Sequence, residues 1–207
     1  MTVANDIAEL GASFFRRGLT FGRTGNLSAV DEDGTILMTP TGVSLDRLRA
    51  TALSRVTPDG EHIGGEPPTK EAFLHLAFYR ARPDARAVVH THSTHSVAVS
   101  CLRDINRDNA LPALTAYYAM RVGTLPILAY HAPGDPSLGP LAQETATEHH
   151  ALLLANHGPI VAGADLAAAA DALEEIEETA KLFLLLQGHD VRLVTDQEVR
   201  RLSGPHR

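Results

Sequence analysis

Apolar residues recur three and four positions apart in ANDIAELGASFFRR (4–17), where Ile7, Leu10, Phe14 and Phe15 fall on one helical stripe. That spacing predicts a first helix, stopped by Gly18. The pattern then shortens. NLSAV and TILMT are β-type runs on either side of Asp33-Gly34, which reads as a hairpin, while TPDGEHIGGEPP (57–68) reads as turn material. A second helix is expected from an N-cap at Thr69 through Arg80, followed by a buried strand in ARAVVHTH (85–92) and a helix-compatible stretch at 94–102. Residues 103–136 are irregular, with a short strand in TLPILAY (124–130) before the loop HAPGDP. ALLLAN and GPIVAG predict two apolar strands broken at Asn156-His157-Gly158-Pro159. Asp165 is expected to cap a long helix ending at Gly188, apolar on more than one side and so packed between elements or against another subunit. With no internal repeat and no low-complexity linker, residues 1–207 read as a single α/β layered domain.

Composition narrows the function classes. The chain has 207 residues, 44% of them hydrophobic, enough for one full-sized core. A net charge of −7 without a Lys/Arg run gives no grip on nucleic acid or on an anionic membrane surface. No apolar run is long enough to span a bilayer, and MTVANDIAEL lacks a signal pattern, so a cytoplasmic protein is expected. Cys101 is the only cysteine, which excludes an intrachain disulfide; within AVSCL it is expected to be a buried structural thiol. Eleven histidines against six Phe, four Tyr and no Trp direct attention to imidazole chemistry.

His90 and His92 sit one residue apart at a strand end, where a period of two turns both rings to one face. That is a geometry for two metal ligands, and His157, at the break between two apolar runs, supplies a third. Other histidines have plainer readings. His95 falls on the following helix, His149-His150 in a helix-to-strand turn, and His75 on the helical face of Glu71, where it either orients the carboxylate or packs. Glu71, in PPTKE just ahead of the His-x-His strand, suits a labile ligand or acid/base. The loops add anion-binding groups: Gly25-Asn26, Thr41-Gly42, the hydroxyl of Thr69 and the ammonium of Lys70.

Taken in order, GRTGNLS, MTPTG, PPTKE, AVVHTHSTH and ANHG resemble the class II aldolases, a family that includes fuculose-phosphate aldolase and ribulose-phosphate 4-epimerase. The resemblance spans nearly the whole chain. It implies a central, mainly antiparallel β-sheet flanked by helices, and a divalent metal, usually Zn²⁺, on His90, His92 and His157 with Glu71 as acid/base and possible ligand. It further implies phosphate binding by Gly25, Asn26, Thr41, Gly42, Thr69 and Lys70, and homotetramers with active sites at subunit interfaces. Thr69-Lys70 replaces a serine pair of the fuculose-phosphate aldolase pattern, and Arg23 adds another cation, so a more anionic substrate is expected. RGLTFGRTGNLS, PTKE and LTAYYAMRVG resemble the branch that decarboxylates 3-oxo-tetronate 4-phosphate to dihydroxyacetone phosphate and CO₂ through an enediolate, with Tyr117 or Tyr118 as a proton donor. The alternatives are a sugar-phosphate aldolase or 4-epimerase on the same residues, and a non-catalytic adducin-like scaffold, which retention of the four-residue metal set argues against.

Overall fold

The computed structural model describes residues 2–202, which form one eight-stranded sheet with helices on both faces. In chain order the helices are α1 (Val3–Arg16), α2 (Ala72–Ala81), α3 (Thr94–Ser100), α4 (Ala116–Arg121), α5 (Leu138–Ala146), α6 (Leu166–Leu185) and α7 (Asp196–Leu202). The strands are β1 (Asn26–Val30), β2 (Ile36–Met38), β3 (Ser54–Val56), β4 (His62–Gly64), β5 (Ala87–His90), β6 (Ile127–Leu128), β7 (Ala151–Leu154) and β8 (Gly158–Gly163). They lie in the order β4-β3-β2-β1-β5-β8-β7-β6, antiparallel throughout except for the parallel β6–β7 pair at one edge.

Alternation along the strands builds two cores. Leu27, Ala29, Ala87, Val89, Leu153 and Val161 face one layer, where they meet Ile7 and Phe14 of α1 and Leu173, Ile176 and Ala180 of α6. Val88, Leu152, Leu154, Ile160 and Ala162 face the other, against Leu74 and Phe78 of α2 and Leu138 and Ala142 of α5. The central strands are therefore buried on both sides, and β5 reads as a continuous apolar run for that reason. Polar side chains among such residues require partners, and Asn26, Ser28 and His90 all point to the α2 side.

Several local expectations change. The run 57–68 contains strand β4, which pairs with β3 across a register shift, so part of the turn material is an edge hairpin. Thr69 does not cap α2. Its hydroxyl accepts from the Glu71 amide at 3.3 Å in a preceding turn, Pro68 bridges to Pro40, and the helix begins at Ala72 with Glu71 at its cap position. Cys101 is exposed rather than buried, because α3 ends at Ser100 and leaves it at the cap beside the Asn156 amide, 3.4 Å from Sγ. Helices α4 and α7 form where no helix was predicted, and α5 supplies the helix that the turn at His149-His150 implied without bounds. Asp165 caps α6 as expected, its carboxylate accepting from the Ala168 amide at 2.7 Å.

Candidate metal centre and cleft

Strand β5 ends at His90, one more backbone bond follows from the Thr91 amide to the Pro159 carbonyl at 3.3 Å, and His92 lies beyond the ladder. The chain stays extended long enough for both rings to converge all the same: their Nε2 atoms are 3.1 Å apart. His157 reaches them from the β7–β8 turn, its Nε2 3.3 Å from that of His90 and 3.0 Å from that of His92. The turn is tight for a visible reason. Asn156 is left-handed (φ 56°), and a Cβ on Gly158 would lie 2.2 Å from the Thr91 carbonyl oxygen, so only glycine lets His157 close onto β5. The carbonyl of Pro159 then accepts from His90 Nδ1 at 2.8 Å. With Nδ1 protonated, the Nε2 lone pair of His90 faces the other two rings.

Glu71 closes the group. Its Oε1 lies 3.2 Å from His157 Nε2 and its Oε2 3.5 Å from His90 Nε2, and the four prospective ligand atoms all lie within 4.8 Å of one another. Asn26, directly opposite His90 across the β1–β5 ladder, donates from Nδ2 to Glu71 Oε2 at 2.7 Å. Burial alone would raise the Glu71 pKa, but the charge interaction with His90 and the hydrogen bonds from His157 and Asn26 outweigh it and hold the carboxyl well below its ordinary range.

Burial has the opposite sign for the imidazoles. It pushes His90 down to about 4 against the pull of Glu71, and His92 down to about 3 with the neighbouring rings adding to the effect. Three Nε2 atoms 3.0–3.3 Å apart cannot all satisfy one another, because a proton on any one of them can serve only one neighbour at a time. A divalent cation can accept all three at once. Three nitrogen donors and an adjacent carboxylate, buried or half-buried, fit such an ion by number, type and position.

The metal set opens into a cleft of about 340 Å³, which admits a small phosphorylated acid. Arg23, Gly25, Asn26, Thr41, Gly42, Thr69 and Lys70 all line it, together with Glu71, His92 and His157. Loops dispersed over residues 23–71 are thus brought to one opening. Asn26 is the exception in role: one amide proton goes to Glu71 and its oxygen to His75, at 2.5 Å. Pro133 and Gly134 also line the cleft and were missed. Their PG turn signal was visible, but nothing in it announced that a side chain on Gly134 would place its Cβ 3.7 Å from the Lys70 Cβ.

The tyrosines are elsewhere. Tyr118 is wholly buried in the α1/α6-side core, where its hydroxyl donates to the Leu111 carbonyl at 3.4 Å and burial raises its pKa. Tyr117 is 60% exposed, with the Arg121 guanidinium 5.7 Å from its ring centre. Neither belongs to the cleft lining. His95 pairs with Glu177 at 2.8 Å, and His150, in the α5-to-β7 turn, contacts the Arg121 carbonyl at 2.8 Å; neither joins the metal set.

An eight-stranded sheet that brings three histidines from the end of β5 and the β7–β8 turn beside a glutamate at the cap of α2, at the edge of one cleft, defines a class. Residues 5–184 match the Class II Aldolase and Adducin N-terminal domain, and the chain belongs to that family. Over 198 residues it is 47% identical to a 3-oxo-tetronate 4-phosphate decarboxylase of Haemophilus influenzae, an alignment covering 96% of this chain and 94% of the relative. It is 32% identical over 200 residues to the L-fuculose phosphate aldolase of Escherichia coli, covering 95% and 90% of the two chains. Among solved structures, YgbL from Escherichia coli superposes with a TM-score of 0.95 at 42% identity over 98% of both chains.

Proposed function

We propose that the protein decarboxylates 3-oxo-tetronate 4-phosphate, releasing CO₂ and dihydroxyacetone phosphate. The observation that carries this reading is the presence of two cations, Arg23 and Lys70, in the same cleft as the His/Glu cluster. A substrate with a phosphate at one end and a carboxylate at the other matches two positive charges better than a sugar phosphate with a single anionic group does. The 47% identity to a decarboxylase of that name supports the same choice.

His90, His92 and His157 would hold a divalent cation, zinc by the chemistry of the donor set, which when bound supplies Lewis acidity at the substrate's ketone and hydroxyl oxygens. The residues of the chain do the rest. Backbone groups of Gly25 and Gly42 with the Thr41 and Thr69 hydroxyls bind phosphate, and Lys70 and Arg23 neutralise the two anionic ends. The carboxylate is β to the ketone, so breaking the C1–C2 bond leaves its electron pair delocalised toward the ketone oxygen as CO₂ departs. One proton must then reach C2. Glu71, which lines the cleft and is ionised at neutral pH, takes that proton from solvent water and delivers it to C2, returning to the carboxylate. Tyr118 lies too deep in the core to contribute, and Tyr117 can serve only from a neighbouring protomer, in a homotetramer whose sites lie between subunits.

Purified protein with added zinc should convert 3-oxo-tetronate 4-phosphate to equal amounts of CO₂ and dihydroxyacetone phosphate, and chelation should abolish the reaction. If neither product forms while fuculose- or ribulose-type phosphates react, the aldolase or epimerase reading replaces this one. Glu71→Gln should keep substrate affinity and lose turnover by about 10²–10⁴-fold.

A further inference from the structure

Behind Glu71 lies a row of buried polar side chains that the reaction does not touch. Glu71, His75 and Tyr79 recur every four residues along one face of α2, while Asn26 and Ser28 recur every two along one face of β1. The two periods mesh. Tyr79 Oη lies 2.8 Å from Ser28 Oγ, Ser28 Oγ 2.7 Å from His75 Nδ1, His75 Nε2 2.5 Å from Asn26 Oδ1, and Asn26 Nδ2 2.7 Å from Glu71 Oε2. His75 and Ser28 have no solvent exposure at all.

The direction of every bond follows from the end of the row. An ionised Glu71 only accepts, so Asn26 must turn its NH₂ toward it and its oxygen toward His75. His75 must then donate from Nε2, leaving Nδ1 to accept the Ser28 proton, and Ser28 in turn accepts from Tyr79. An amide flip at Asn26 would set its oxygen against Glu71 Oε2 and its NH₂ against a donor, so two contacts would fail together.

We infer that His75 is a positioning residue, which, as the neutral Nε2–H tautomer selected by Ser28 and Tyr79, locks the Asn26 amide so that it holds Glu71 in its reactive orientation. The kinetic consequence rests on the catalytic role proposed above for Glu71. The His75 ring bonds only to Ser28 and Asn26 and reaches none of the three metal-set histidines. Its loss should therefore reduce turnover without altering the anion-binding groups of the cleft.

The experiment has two arms on the full-length, zinc-loaded protein. In the first, ¹⁵N imidazole spectra assign the His75 tautomer without any turnover. A signal from protonated Nε2 that reverts to Nδ1–H or to mixed tautomers in Ser28→Ala is expected; Nδ1–H in the wild type overturns the inference. In the second, His75→Leu and His75→Gln are assayed on whichever phosphorylated substrate the wild type turns over. Leucine keeps the bulk but no donor and should lower kcat by roughly 10–100-fold at nearly constant KM; glutamine, which can donate to Asn26, should recover most of it. Equal loss in both variants, or a change confined to KM, marks a packing role and overturns the inference. Should His75→Leu fail to fold, Ser28→Ala carries the kinetic comparison, with a smaller fall in kcat expected and an unchanged kcat contradicting the proposal. Failure of the decarboxylase reading alone would show as absence of CO₂ with the tautomer result intact.

Discussion

At the scale of single residues, the site depends on backbone positions as much as on ligands. Gly158 is the sharpest case, since a methyl group there would meet the Thr91 carbonyl oxygen at 2.2 Å while the residue adopts φ 155°. Gly158→Ala should cost more than ~1–3 kcal/mol in urea unfolding and withdraw His157 from its partners, so zinc content after dialysis should fall as well. Zinc retention equal to wild type would show that the turn can relax without moving the ligand. The convergence of His90, His92 and His157 was legible in the sequence because histidine is out of place at the end of the apolar strand β5 and in the break between the apolar strands β7 and β8. The hydrogen bonds of Asn26 to Glu71 and His75 were not legible, since a Gly-Asn loop in sequence does not say which side chains from another element will meet it. Cys101 misled for the converse reason: an apolar neighbourhood in sequence does not say where a helix stops.

Among the elements, α3 has a stake in the centre because it starts two residues after His92. Glu177 of α6 holds that start, accepting from the His95 and Ser96 amides at 2.9 Å each, from Ser96 Oγ at 2.7 Å, and contacting His95 Nδ1 at 2.8 Å. A carboxylate from a different helix thus does the capping that Ser93 leaves undone. Glu177→Ala should cost about 1–3 kcal/mol by orphaning those donors, measurable by denaturant unfolding, and a loss within error of zero would mean that water replaces it. Helices α1, α2 and α6 and the central strands could be read from periodicity and continuous apolar runs. The edge pair β3–β4 and helix α5 could not. Strand β4 carries almost no apolar signal in HIG, and α5 includes Gly139 and Pro140, so its helicity owes more to packing Leu138, Ala142 and Ala146 against the α2 side than to propensity.

For the whole molecule, one consequence of concentrating buried imidazoles is acid sensitivity. His75 and His90 are held at about 4 and His92 at about 3, each below the ordinary 6.5, chiefly by burial. As pH falls from that ordinary value to the folded ones, the unfolded chain takes up protons that the folded chain does not, and stability declines. Glu71 acts in the same direction further down, losing its contribution as pH falls from the ordinary 4.5 through its depressed folded value. The metal-free protein should therefore unfold at lower urea near pH 5 than near pH 7, with zinc widening the gap because protons compete for its ligands. A midpoint that is flat or rises toward acid would contradict the burial of neutral histidines. Among the described residues no helix is long and apolar enough to cross a membrane, and Phe21, Tyr117 and Tyr130 are exposed.

The proposed reaction breaks the bond between C1 and C2 and then delivers a proton to C2 within this cleft. Running 3-oxo-tetronate 4-phosphate with the zinc-loaded enzyme in D₂O reads both events at once. The predicted result is one CO₂ for each dihydroxyacetone phosphate formed, with a single deuterium on the hydroxymethyl carbon. Release of an aldehyde without CO₂, or an untouched substrate, would contradict it.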